Sequence, residues 1–373
     1  MKKTLIALAT AALATTSAQA LTVYENEGTT VGFDGSLRLI LENAKKEVNG
    51  QGNRTHSNLR NADSRFGVRV NHELDSGLYA LGRLEFRFDN KDDSTDTSDF
   101  GDLYAKRAYV GLGHKQYGEV TFGRQLTIAD DIGLTDDYEY GIIPGYTQTD
   151  GTSVVRYDYK GIEGLQLGVN YNFAENRDAS GEVLVNKIKN GYGVGFVYAT
   201  DVAPEQKFMI ESAYTRNNYA TYTNSKHYAD GVELGVGYRI GALTLVADLG
   251  YGNEKLGGAK ARGYFVSPGI QYQVTEASRI YGNYLYEHNK FTGNISNDDS
   301  VEGSSFAKVK NATGAAKETS HGGLIGVDYK LHKHAVTFVE AKYVRTKGYN
   351  SADNYTGNKV TDKAIGIGMR VYW

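Results

Sequence analysis

Six arginines, Arg38, Arg65, Arg69, Arg83, Arg87 and Arg107, fall on the parity opposite to their apolar neighbours. In "SRFGVRV", Phe66, Val68 and Val70 alternate with Arg65 and Arg69; in "GRLEFRF", Leu84 and Phe86 alternate with Arg83, Glu85 and Arg87. A guanidinium keeps its charge at any ordinary pH and has no lone pair to offer a proton. Such a row cannot carry acid–base chemistry. One arginine of this kind hydrates a wet wall; six on four adjacent segments make a fixed positive field, and a field acts on ions. Arg156 is a further, more isolated candidate. Downstream, "RQLTIADDIGLTDDYEYGIIPGYTQTDG" gathers Asp130, Asp131, Asp136, Asp137 and Glu139. Its apolar residues, among them Ile128, Ile132, Leu134 and Ile142, predict a long loop with structure of its own, held against a wall. Asp130 and Asp131 read equally well as local caps or solvated charges or as charges that face the arginine row.

Other chemistries lack their residues. The chain has no cysteine, which excludes disulfides and thiol catalysis. The eight histidines show no metal-ligand spacing, and no Ser–His–Asp constellation stands out. The acidic run "DNKDDSTDTSD" at 89–99 lacks the glycine and distal glutamate of a calcium loop. It reads as a solvated surface loop with some capacity for divalent bridging. The formal charge of −3 offers no basic excess for nucleic acid. No metal or cofactor is called for.

The elements that must position the two charge sets alternate with period two. "GVELGVGYRI" sets Val232, Leu234, Val236, Tyr238 and Ile240 against Glu233 and Arg239. "ALTLVADLGY" sets Leu243, Leu245, Ala247 and Leu249 against Thr244 and Asp248, which places Leu245 on an apolar face and Thr244 on a wet one. The connections alternate in length. Short ones fall at 75–77, 113–118, 160–164, 201–205, 239–242, 275–278 and 331–335; long polar ones at 42–62, 90–101, 125–151, 175–189, 218–229, 253–258, 290–319 and 348–362. Fifteen connections join sixteen strands. Tight turns at one end and long loops at the other are the pattern of an outer-membrane barrel, which a soluble sandwich has no reason to copy.

The ends of the sequence agree. "MKKTLIALATAALATTSAQA" has two lysines, an apolar run and a small-residue cleavage site, so residues 1–20 read as a secretory leader and 21–373 as one barrel domain. Past it no apolar run is long enough for a membrane helix. With 45 glycines and 29 tyrosines, the composition suits a barrel with aromatic girdles. In "AIGIGMRVYW", Ile365, Ile367, Met369, Val371 and Trp373 share one face. Lipid tolerates no unpaired sheet edge, so this strand must close on the first, Val31–Leu41, with Trp373 an outward anchor at the rim.

"LRNADSRFGVRV", "DFGDLYAKRAYVGLG", "YGEVTFGRQLTIADDI", "YFVSPGIQYQV", "GVDYKLHK" and "GMRVYW" together resemble the Gram-negative general (trimeric) porins, in particular the major outer-membrane porins of Haemophilus-type bacteria. The resemblance spans nearly the whole chain. It implies an all-β, 16-stranded antiparallel transmembrane β-barrel, a homotrimer, and a third loop folded into each lumen as a constriction. It implies a pore-lining basic cluster of Arg65 and Arg107, with Arg38, Arg69 and Arg83 beside them. Ser36 stands where the family has a lysine, and Arg38 is its substitute. Glu85 matches a family carboxylate among the arginines. Asp136 is the best match to a constriction carboxylate, with Asp137 and Glu139 as helpers. Trp373 stands where the family's assembly signal usually has Phe.

Three functions follow as expectations. The first is a passive channel for ions and small hydrophilic solutes in the outer membrane of a Gram-negative bacterium. The second is a surface adhesin or receptor using the polar loops, and the third a barrel enzyme, for which no nucleophile is found. The channel's expected partners are outer-membrane lipid, lipopolysaccharide and the barrel assembly machinery.

Overall fold

The computed structural model describes residues 21–52, 57–88, 100–178, 180–220, 225–293 and 306–373. The leader at 1–20 and the whole acidic run 89–99 lie outside the described residues.

Sixteen antiparallel strands close into one barrel. They are β1 Thr29–Val48, β2 Asn58–Asn61 continued by Arg65–Glu73, β3 Leu78–Phe88, β4 Leu103–His114, β5 Gly118–Leu126, β6 Asp150–Ile162, β7 Leu165–Asn172 continued by Glu175–Arg177, β8 Val183–Ala203, β9 Gln206–Tyr219, β10 His227–Ile240, β11 Leu243–Leu256, β12 Ala259–Gln273, β13 Ser278–Thr292, β14 Lys317–His332, β15 Ala335–Tyr349 and β16 Tyr355–Tyr372. Each strand pairs with its sequence neighbours, and β16 closes on β1 from Tyr372↔Ser36 to Val360↔Val48. Below that, Leu21–Asn26 pairs with the start of β1, continuing the line of β16. Closure thus runs higher on β1 than the alternation alone indicated.

Trp373 sits at this junction. It exchanges two backbone hydrogen bonds with Gly35, at 3.0 and 3.1 Å, and its indole lies 6.4 Å from the Phe33 ring. A side chain at residue 35 would collide with that indole, which explains the glycine there.

Alternation sorts the residues as polarity requires. Leu245, Ile365, Ile367 and Met369 are exposed on the outer face. A strand crosses a bilayer in about 9–11 residues, so β1 and β8, at 20 and 21 residues, run well past it. For this reason "ENAKKEV" and "VNKIKNG", polar enough to read as loop, are paired strand. The expected long loop at 253–258 is likewise a turn at 257–258 between β11 and β12. Backbone pairing depends little on side-chain polarity, so a wall standing in water looks like a loop in sequence.

The interior is only partly wet. Tyr140, Tyr146, Phe265, Tyr281, Phe338 and Val309 form one buried cluster on the lumen side.

Candidate functional site

The arginines stand together on β1 to β4 because their parity is inward on each strand. Arg65 lies opposite Arg87, and Arg69 opposite Arg83, across the β2–β3 ladder. Like charges in register repel, and three carboxylates hold them. Glu85, 3% exposed, lies 2.8 Å from Arg87, 3.1 Å from Arg83, 3.5 Å from Arg107 and 4.0 Å from Arg65. Asp34 takes both Nη atoms of Arg83 at 2.6 and 2.7 Å and Nε of Arg69 at 2.8 Å. Asp63 pairs with Arg65 and, at 2.9 Å, with Arg87. Arg38 donates to Ser36 Oγ at 2.7 Å and faces Arg370 across the closing seam. Six guanidiniums against three carboxylates leave a net positive wall. Glu85 lies within this wall, between Arg83, Arg87 and Arg107, and away from the loop carboxylates. Asp34 and Asp63 were not singled out, although Asp34 shares the parity of Arg38.

The segment between β5 and β6 turns into the lumen. Its base is closed where Thr127 N donates to Thr149 O at 2.8 Å and Thr127 Oγ1 to Gln148 O at 2.6 Å. A short 3-10 turn, Ile128–Asp131, follows, capped by Thr127 Oγ1. Ile128 is fully buried, a burial of about 1.5–3 kcal/mol for a side chain of this size. Arg156 on β6 secures the same base, donating to Thr127 O at 2.8 Å and pairing with Asp131 at 2.6 Å.

Beyond its base the loop is tied to the wall by carboxylates that accept its backbone N–H groups. Glu211 on β9 accepts from Gly133. Asp248 on β11 accepts from Leu134 at 2.9 Å and Thr135 at 2.8 Å. Glu340 on β15 accepts from Tyr138, Glu139 and Tyr140 at 2.7, 2.9 and 2.6 Å. On the returning limb, Glu233 on β10 accepts from Tyr146 and Thr147, both at 3.2 Å. Tyr138 stacks on Phe338 at 4.4 Å, and the Tyr146 hydroxyl donates to Glu287 at 2.8 Å. A loop backbone needs partners when it leaves water, and charged acceptors are strong ones. Inward parity was readable for Glu233 and Asp248; that they receive main-chain donors was not.

The loop carboxylates therefore differ in state. Asp136 pairs with Arg279 on β13, which also holds Asp328 at 2.7 Å. Glu139 lies 2.8 Å from Arg60 and 3.9 Å from Arg370. Among the described residues Asp130 and Asp137 make no ion pair, and both reach lumen water. The crowded lumen and the nearby Glu340 and Asp136 carboxylates push the Asp137 pKa up to about 6. Crowding does the same at Asp130, also to about 6, against the opposing pull of Arg107. Asp130, evenly balanced in sequence between cap and channel charge, is thus a carboxylate without an ion pair among the described residues, whereas Asp136 shares Arg279 with Asp328. Arg279, Arg60 and Arg370 escaped the sequence reading because nothing local marks an arginine as a partner for a distant loop.

A closed barrel with an apolar outside, a charged lumen and an inserted loop defines an outer-membrane channel. The chain belongs to the Gram-negative porin family, whose sequence profile matches residues 4–349. It is 29% identical, over 100% of both chains, to the major outer membrane protein of Pasteurella multocida strain Pm70, and 30% identical, again over 100% of both, to a second Pasteurella multocida major outer membrane protein. Its fold is similar to in-vitro folded OmpT of Vibrio cholerae (TM-score 0.67, 18% identity, 95% of this chain and 100% of that one). It is also similar to the anion-selective porin of Comamonas acidovorans (0.66, 17%, 92% and 100%) and to Salmonella typhi OmpF in complex with daunomycin (0.63, 15%, 94% and 99%). The protein is a general diffusion porin of the outer membrane.

Proposed function

We propose that solutes pass between the arginine wall of β1 to β4 and the inserted loop, and that the charges on these two faces set ion selectivity. The supporting observation is the pairing pattern: net positive charge on one arc, unpaired Asp130 and Asp137 on the loop. Arg38, Arg65, Arg69, Arg83 and Arg107 line the basic side, with Glu85 tempering it. Asp137 and Asp130 act on the loop side, while Asp136 and Glu139 mainly hold the loop's shape through Arg279 and Arg60. Charges in a narrow passage with low-dielectric walls are screened less than surface charges. Cations follow the loop and anions the arginines. No bond is made or broken, so this reading gives the chain no catalytic role.

The barrel works as a homotrimer in this reading, an assembly for which the trimer form of Vibrio cholerae OmpT is the parallel. Residues 1–20 direct export, Trp373 serves the barrel assembly machinery, and lipopolysaccharide surrounds the outer rim. The test is reversal potential in asymmetric salt at low ionic strength. Arg65→Ala with Arg107→Ala should shift it toward cations; Asp130→Asn with Asp137→Asn should shift it toward anions. Unchanged potentials in both would remove the two faces from the conduction path.

A further inference from the structure

A second piece of chain enters the lumen. We propose that Phe306–Ala315, between β13 and β14, is a fixed outer constriction above the third loop, and that its Lys308 controls the access of anions. This goes beyond the reading above, which concerns one loop only.

The main tie is Glu254 near the loop end of β11. Its side chain is 0% exposed. It accepts backbone N–H groups from Ala307 at 2.7 Å, Lys308 at 2.9 Å and Val309 at 3.3 Å, and His227 Nε2 lies 2.8 Å from its Oε1. A buried carboxylate is tolerable only when its oxygens are met by donors. Three of these four donors belong to the inserted segment, so its withdrawal would strip Glu254 of most of its partners. Insertion is therefore the stable state of the segment.

Packing agrees. Val309 is fully buried, and Phe306 lies 6.0 Å from the Phe291 ring. At Gly252 a Cβ would sit 2.9 Å from Val309 and 3.0 Å from Tyr146 of the third loop, so the two inserted segments meet over a residue that has to be small. Lys308 Nζ donates to Thr147 O at 2.7 Å, joining the second segment directly to the third loop. Further along, Asn358 Nδ2 donates to Thr313 O at 3.1 Å, which fastens the segment toward β16.

Lys308 faces a cavity of about 490 Å³ bounded by both segments and the wall. Lys106, Arg124, Gln148 and Asp150 also line it. Lys106 pairs with Asp150 at 2.5 Å. Lys308 makes no ion pair among the described residues; its bond goes to a carbonyl. No carboxylate of the described residues touches it directly, although Asp150, Glu233 and Glu254 lie near it, and it faces the cavity that a solute carboxylate or phosphate from the loop end would enter.

The test uses the full-length chain in planar bilayers, with chloride and acetate as probe anions. Replacing 307–314 by a short Gly–Ser linker, with Glu254→Gln to relieve the orphaned carboxylate, should raise single-channel conductance. Lys308→Glu alone should shift the reversal potential toward cations. Heat-modifiable gel migration checks folding of both variants. Wild-type channels with a linker variant of unchanged conductance would overturn the constriction. A Lys308→Glu variant with unchanged potential would overturn the lysine's role. Absence of channels in the wild type would instead sink the porin reading itself.

Discussion

Glu340→Ala should release the middle of the third loop without unfolding the barrel. Glu340 is 0% exposed and accepts three consecutive loop N–H groups, at 2.7, 2.9 and 2.6 Å, plus the Tyr281 hydroxyl at 2.7 Å. Hydrogen bonds to a charged group are each worth about 1.5–3 kcal/mol net. Taking the three loop bonds at the low end gives about 4–5 kcal/mol of docking free energy. Lumen water can hydrate the undocked N–H groups, and if it returns half, about 2 kcal/mol remains, roughly a thirtyfold change in the docked-to-undocked ratio. The ties at Asp248 and Glu233 persist, so the loop loosens around Asp136–Tyr140 and stays attached on either side. Single-channel recordings should show noisier currents with a larger mean conductance, while gel migration stays that of a folded barrel. Glu340→Gln keeps one acceptor oxygen and should fall between. Quiet channels of wild-type conductance in Glu340→Ala would refute the idea that this carboxylate holds the loop.

Three further outcomes are expected. Leu245 is 51% exposed on the lipid face, so Leu245→Arg should cost about 2–4 kcal/mol near the bilayer midplane, read from denaturant titration of folded protein in vesicles. Thr244→Arg should instead crowd the lumen and lower conductance; equal stability losses in the two variants would reverse the face assignment. Trp373→Ser empties the notch at Gly35 and should lower the yield of heat-resistant oligomer, with the surviving channels conducting normally; an undiminished yield contradicts this. Because the Asp130 and Asp137 pKa values stand at about 6, both carboxylates are mostly ionised well above that pH and mostly neutral well below it. Acidification through 6 should therefore weaken cation preference in the wild type and change little in the Asp130→Asn, Asp137→Asn double variant, as reversal potentials would report.

Period two and loop length carried the architecture in the sequence, because a barrel in lipid imposes both. Leu245 and Ile367 were readable as outward from their neighbours alone. Thr244 shows the boundary of that reasoning: its inward parity was legible, but it is 6% exposed, packed and not in open water. Parity tells a side chain which way to point and nothing of what it meets there. The arginine row was legible for the same reason, since one pattern repeats on adjacent strands. The loop was different. Asp136 and Asp137 are neighbours of one type, yet one pairs with Arg279 and the other makes no ion pair among the described residues. That split is decided by strands more than a hundred residues away. Glu254 and Glu340 were not singled out in the sequence for a related reason: their partners include backbone N–H groups, which leave no mark there.

Current across a planar bilayer holding the purified wild-type protein tests the central claim most directly. A passive, water-filled porin gives discrete ohmic steps whose size follows the bulk conductivity of the salt. Protein that is folded and inserted yet gives no steps, or steps that saturate at low salt, would contradict it.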